Sequence, residues 1–327
     1  MTAGSFTPRE SRSTWRRGAL VLIVLLGLAC TNKPRTAPSR TGAASSPHSG
    51  SSTSTSTATS THPTRLPQPV PVTSTTIALV DATRPTVSRG QQVAATRALT
   101  TVVWLPNADG NWPLIVFAPG FRVGPDSYAH LLQVWASHGY VVAGIEFPLT
   151  DAAVAGSSLD ENDISNEPDD VRFVMAALTN PDSPAAARID PTRISVAGHS
   201  DGAEVALSVA QDGVSGVKAA IVMSGEPVAA AASPNPPLLI AQGDRDTINT
   251  PDNSRSIFDQ AASPRLELVL EGAGHLEPFA GSSQWQPVVD QTTVDFLDHY
   301  VAAVTDSDSA LMSDADQPGL AHLVSVS

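Results

Sequence analysis

A serine sits between two glycines in the stretch Gly198-His199-Ser200-Asp201-Gly202. Residues 194–197 before it are apolar and small, as a strand requires, and residues 201–211 after it place apolar side chains at helical spacing. At such a strand-to-helix turn the serine takes a strained backbone that lifts its hydroxyl above the sheet edge. Glycines two positions away on either side remove side chains where strand and helix crowd together. The helix N-terminus behind Ser200 favours negative charge nearby. The chemistry these features suit is attack of an oxygen on an acyl carbon. The bland alternative is a tight turn with no role beyond its geometry.

A serine hydroxyl attacks poorly until a base takes its proton, so a histidine must reach it. Of the eight histidines, His48, His62 and His322 lie in stretches expected to be disordered. His130, His138 and His299 fall within or at the ends of expected helices, where solvent or packing is the default. His199 adjoins the serine but should point elsewhere in the turn and pack. His275 remains, in the glycine-flanked loop EGAGHLEPF after an expected strand at 266–270. An acid to orient that imidazole should lie between the two in sequence. The strand PLLIAQG runs into Asp244-Arg245-Asp246-Thr247-Ile248, and Asp246 is the expected acid. Asp244 more plausibly organises the loop, and Glu226 after the preceding strand is the runner-up. An acyl-transfer site also needs hydrogen-bond donors for the developing oxyanion. The backbone N–H groups of Asp201 and of Phe121, in Ala118-Pro119-Gly120-Phe121, are the candidates.

Positioning these residues requires a sheet whose strand ends converge. Strands are expected at 76–80, 98–105, 114–118, 140–145, 193–197, 217–223, 238–242 and 266–270, and helices at 126–138, 168–178, 201–211, 253–261 and 286–301. The first strands arrive without helices between them and the later ones alternate with helices. That pattern predicts a mixed sheet, antiparallel at its start and parallel thereafter, covered on both faces. The continuous apolar runs LIVFA and VVAGI suit doubly buried strands. Ligands bind at the carboxyl ends of such strands, which is where the candidate residues cluster.

The pieces LVDATRP, RALTTVVWLP, FAPGF, WASHGYVV, DDVRFVMAAL, DPTRISVAGHSDG, GDRDTI and EGAGH follow one another across nearly all of residues 76–303. In this order they resemble the α/β-hydrolase superfamily, and within it the dienelactone-hydrolase-like, platelet-activating-factor acetylhydrolase-like and polyester hydrolase (cutinase-like) group. The resemblance implies a mostly parallel sheet of about eight strands flanked by helices. It also implies a serine hydrolase of carboxylic esters that uses no cofactor or metal, with Ser200, Asp246 and His275 as its triad. Dienelactone hydrolases proper use a cysteine where Ser200 stands. Polyester hydrolases usually carry a disulfide, and a tryptophan after the strand that here ends Met223-Ser224-Gly225-Glu226.

The 327 residues are 41 % hydrophobic, with a formal net charge of −13 that disfavours nucleic acid and anionic membrane surfaces as partners. Residues 1–30 read as an export signal: Arg9, Arg12, Arg16 and Arg17 precede the apolar run Ala19–Ala29. Leu26-Gly27-Leu28-Ala29-Cys30 resembles a bacterial lipobox, which makes Cys30 a candidate lipidation site and membrane anchor. A cleaved secretory signal and an uncleaved anchor are the alternatives. Residues 31–75, rich in Ser, Thr and Pro, are expected to be a disordered tether, residues 76–303 the catalytic domain, and residues 304–327 a flexible tail. The stretch between 223 and 238 is too short for a helical lid, so no lid domain is expected and the site should be open to short-chain or bulky esters, small-molecule or polymeric. Asp151, Asp160, Glu161, Asp163 and Glu167 make the loop 148–168 acidic; if it edges the site, anionic substrates should be disfavoured. Two rival readings stay open: a surface lipoprotein that uses the fold to bind a partner, and an amidase or peptidase on the same triad. Oligomeric state is not legible.

Overall fold

The computed structural model describes residues 69–229, 235–304 and 307–327. Its strands are β1 (Val72–Asp81), β2 (Thr86–Ser88), β3 (Gln91–Ala94), β4 (Arg97–Pro106), β5 (Trp112–Ala118), β6 (Val141–Ile145), β7 (Ile189–His199), β8 (Val217–Met223), β9 (Leu238–Gly243), β10 (Arg265–Leu270) and β11 (Ala321–Val326). The helices are α1 (Ala129–Ser137), the single turn α2 (Ala152–Ala155), α3 (Glu167–Thr179), α4 (Asp201–Gln211), α5 (Pro251–Gln260), α6 (Gln286–Tyr300) and α7 (Ser307–Asp314). Nine strands form one sheet in the order β1-β4-β6-β5-β7-β8-β9-β10-β11, and β2 and β3 form a separate hairpin. β1, β4 and β6 pair antiparallel, the strands from β6 to β10 are parallel, and β11 returns antiparallel to β10. This is the α/β-hydrolase fold.

The alternation of side chains along each strand divides the core in two. On β5, Leu114, Val116 and Ala118 face a cluster completed by α3, α4 and α5. Ile115 and Phe117 face the opposite cluster, filled by Trp135 of α1, Val288 and Phe296 of α6, and Leu311 of α7. All seven residues of β5 are buried, so the strand could not have been half-polar. A sheet sealed on both faces leaves its carboxyl edge as the place where loops can carry chemistry.

Of residues 304–327, expected to be a flexible tail, residues 307–327 are instead built into the fold. α7 buries Leu311, and β11 pairs with β10 from Ala321↔Leu270 to Val326↔Arg265. Without β11 the ladder groups of β10 would be an open edge, and pairing satisfies them. His322 therefore lies on β11 rather than in disorder, opposite Val269. The expected tether likewise ends early, because Val72–Thr75 already belong to β1 and pair with residues 103–106. Residues 31–68 of that tether, with His48 and His62, the export signal and Cys30 lie outside the described residues. Among the described residues, no helix is long and apolar enough to cross a membrane.

Candidate active site

Ser200 stands between β7 and α4 with φ 56° and ψ −127°. A non-glycine residue in that region is strained and persists only where its surroundings over-determine it. Here the Ser200 N–H donates to the Met223 carbonyl at 3.0 Å, while Ala203 N–H donates to the Ser200 carbonyl at 2.8 Å. The flanking glycines are sterically required. A Cβ on Gly198 would lie 1.9 Å from the Gly202 carbonyl oxygen, and one on Gly202 would lie 2.0 Å from that of Ala118.

His275 arrives on the loop after β10. Its Nε2 is 3.0 Å from Ser200 Oγ, and its Nδ1 is 2.8 Å from Asp246 Oδ2. With Nδ1–H donated to the carboxylate, Nε2 is left to accept from the serine hydroxyl. Asp246, on the loop after β9, is fixed on both oxygens. Oδ1 accepts from the N–H groups of Ile248 and Asn249 at 2.9 and 3.0 Å, and Oδ2 also accepts from Gln242 Nε2 at 3.1 Å. Burial alone would raise the Asp246 pKa. The hydrogen bond from His275 and that from Ile248 N–H outweigh it and hold the carboxyl below its ordinary range, so it is ionised at neutral pH.

The other carboxylates are elsewhere. Asp244 accepts from Gly272 N–H at 2.7 Å, tying the loop after β9 to the loop after β10. Glu226 is exposed and faces Asn253 at 3.3 Å. Neither meets His275.

Ser200, His275, Phe121 and Ile248 line two adjoining cavities. The first, about 460 Å³, is continued by Val123, Tyr128, Arg245 and Leu276. The second, about 500 Å³, is continued by Glu161, Ile164, Asp201, Glu204 and Glu226. Phe121 thus faces the serine from the turn after β5, and Asp201 is the first residue of α4, which places both oxyanion candidates beside Ser200.

Burial and the charges of Asp201, Glu226 and Glu161 push Glu204 up to about 7. Burial and the charges of Glu161 and Glu226 also raise Asp201. Of the acidic loop, only Glu161 lines this cavity. Asp151 accepts from Ala153 N–H and Asp160 from Arg89 N–H, Asp163 pairs with Arg97, and Glu167 accepts from the Thr150 hydroxyl. Among the described residues, no group of three or more side chains is placed to hold a metal ion.

A family model described as chlorophyllase matches residues 74–240, just over half of the 327 residues. The chain belongs to the chlorophyllase family. The matched span runs from β1 into β9, so it holds the turn at Phe121 and the Ser200 elbow and stops short of Asp246 and His275. This family member is also 29 % identical over 185 residues to cutinase est2 of Thermobifida alba, which covers 54 % of this chain and 57 % of that protein. The chain therefore spans little more than half the length of this curated relative. In keeping with the family, the central sheet is mostly parallel and flanked by helices on both faces.

Two residues that were not expected to take part in catalysis touch this machinery. Tyr128 and His199 are buried against it, and His199 accepts or donates on both ring nitrogens. His199 was expected only to pack. Its position beside the nucleophile was the available signal, but its partners lie 71 and 76 residues away. Tyr128 carried no comparable mark.

Proposed function

We propose that this protein is a serine hydrolase of carboxylic esters that works through an acyl-enzyme. The observation that carries the reading is the Ser200–His275–Asp246 chain, with contacts of 3.0 and 2.8 Å, at the mouth of two cavities. Membership of the chlorophyllase family and likeness to a cutinase support an ester as substrate. In this reading Ser200 Oγ attacks the ester carbonyl as His275 Nε2 takes its proton, and Asp246 stabilises the imidazolium. The N–H groups of Phe121 and Asp201 receive the oxyanion. His275 then returns the proton to the departing alkoxide, and a water, activated in the same way, releases the acid from Ser200.

Two cavities meeting at the nucleophile suit an ester that is bulky on both sides of the bond. Among its described residues, the segment between β8 and β9 contains no helix. The acidic side chains of the second cavity, Glu161, Asp201, Glu204 and Glu226, disfavour anionic substrates, more strongly as Glu204 loses its proton above about pH 7. A panel of p-nitrophenyl esters across acyl lengths, with a carboxylate-bearing ester of matched length, tests the reading. Turnover of neutral esters and poor turnover of the anionic one are expected. Wild-type protein that cleaves no ester, yet cleaves amides or binds a partner, would overturn it.

The chain is further proposed to be exported and held at the outer face of the cell membrane by lipid on Cys30. The basic flank and the apolar run Ala19–Ala29 that ends at Cys30 support this. Cys30→Ser should move the protein out of the membrane fraction. Unchanged partitioning, with cleavage elsewhere in the signal, would defeat the lipid anchor.

A further inference from the structure

A buried hydrogen-bonded chain joins the turn after β5 to the loop that carries His275. Gly120 N–H donates to the Tyr128 hydroxyl at 3.3 Å, that hydroxyl lies 2.8 Å from His199 Nδ1, and His199 Nε2 lies 2.9 Å from the His275 carbonyl oxygen. Tyr128 and His199 are 1 % and 2 % exposed, which shields these bonds from bulk solvent.

The direction of each bond can be worked out from its far end. A carbonyl oxygen only accepts, so His199 Nε2 must carry a proton and donate to His275. Burial, and then the neighbouring His275, push the His199 pKa down to about 3, so the ring is neutral and holds one proton. Nδ1 is therefore an acceptor, and the Tyr128 hydroxyl must donate to it. The tyrosine oxygen keeps its lone pairs for Gly120 N–H. Burial raises the Tyr128 pKa, so that hydroxyl keeps its proton. The chain thus has one self-consistent set of donors and acceptors, with no group left over.

Its two ends are the two parts that acyl transfer must hold in register. Gly120 precedes Phe121, the candidate oxyanion donor, and the His275 carbonyl belongs to the base itself. These parts lie on different loops, after β5 and β10, which are not neighbours in the sheet. Ring contacts brace the same line: His199 lies 4.7 Å from the His275 ring and 5.2 Å from that of Phe279, centroid to centroid.

We propose that Tyr128 and His199 are positioning residues for catalysis, a strut that fixes the oxyanion turn relative to the catalytic base. The proposal rests on the ester-hydrolase reading above and deepens it. A strut of this kind acts on transition-state geometry rather than on substrate affinity. Misplacement of an oxyanion donor or a base by a fraction of an ångström lowers kcat while leaving ground-state contacts in place.

The test begins with the wild-type protein. ¹⁵N-edited NMR of the imidazoles should show His199 protonated on Nε2 and unprotonated on Nδ1 across the neutral range. The Nδ1–H tautomer, or an imidazolium, would overturn the strut whether or not any variant folds. Tyr128→Phe removes one hydroxyl, and His199→Phe keeps a ring but removes both bonds. With rates counted per Ser200 titrated by a fluorophosphonate, each should lower kcat by about 10- to 100-fold with KM changed by no more than about twofold. The double variant should be no worse than His199→Phe alone, because both substitutions cut one chain. Unchanged kcat in Tyr128→Phe, a loss confined to KM, or losses that multiply in the double variant would each overturn the proposal. Wild-type protein without esterase activity would instead overturn the functional reading, and the tautomer would still be measurable.

Discussion

Two buried polar assemblies flank the turn after β5, and they differ in what their protons can do. On one side lie Ser200, His275 and Asp246 with the Tyr128–His199 chain. On the other, Arg97 of β4 reaches Asp163 Oδ2 at 2.6 Å and Asp170 Oδ2 at 2.5 Å, while Arg84 adds a 2.6 Å contact to Asp170. The second assembly is a clamp. Guanidinium groups hold their protons at any working pH, so their forks bind carboxylates and transfer nothing. Asp163 and Asp170 have side chains with no solvent exposure and line neither of the two cavities at Ser200.

The first assembly places the His275 imidazole between an ionised carboxylate and a hydroxyl, and it faces two cavities. A buried charged cluster therefore marks chemistry only when it joins a movable proton to open space. The two assemblies are linked: Arg122 N–H, in the turn after β5, donates to the Thr150 carbonyl at 2.7 Å, and the Thr150 hydroxyl binds Glu167 beside the clamp.

The contrast breaks most sharply under substitution. Asp246→Asn should leave the thermal midpoint nearly unchanged yet cut kcat by roughly 10³–10⁴-fold, because an amide favours the wrong histidine tautomer. A loss of turnover in Asp244→Asn or Glu226→Gln, with Asp246→Asn active, would reassign the acid.

Arg97→Leu should do the reverse. It strands Asp163 and Asp170 as buried charges, at a cost of about 3–5 kcal/mol by denaturant titration. Whatever remains folded should keep a near-normal kcat, and a well-folded but inactive Arg97→Leu would erase the distinction.

Glu167 sharpens the comparison through pH. Burial, and then the charges of Asp170 and Asp163, raise its pKa from 4.5 to about 8 against the pull of Thr150 and Arg97. Between those values the folded chain holds a proton that the unfolded chain has released, so stability falls as pH rises through that window and levels off above it. Glu204, raised to about 7, acts with the same sign. Glu167→Gln should flatten the part of the slope that Glu167 contributes, with little change in kcat at pH 7; an unchanged slope would mean Glu167 is ionised when folded. Asp244→Asn should have the smallest effect, about 1–2 kcal/mol of stability through its bond to Gly272 N–H.

The sheet and the nucleophile's turn were legible because their patterns are local. Continuous apolar runs marked β5 and β6, and two glycines flanking a serine marked the elbow. β11 was not legible, because its six residues take their pairing from β10, 51 to 61 residues upstream. β1 starts inside the Thr- and Ser-rich stretch, where composition suggested disorder and β-branched threonine in fact suits a strand. The β2–β3 hairpin turns at Arg89 and Gly90, both at positive φ, and only the glycine advertises it. Arg97 fell just before the strand expected at 98–105 and is the first residue of β4. Its burial depends on Asp163 and Asp170, 66 and 73 residues away. The strut was missed for the same reason.

The central claim is that Ser200 is a nucleophile activated through His275. It is tested most directly by mass spectrometry of the protein after reaction with a fluorophosphonate. The account predicts one adduct per chain on the peptide containing Ser200, none in Ser200→Ala, and parallel loss of ester turnover by about 10⁴-fold or more in that variant. An adduct on another residue, or ester turnover retained in a clean preparation of Ser200→Ala, would contradict it.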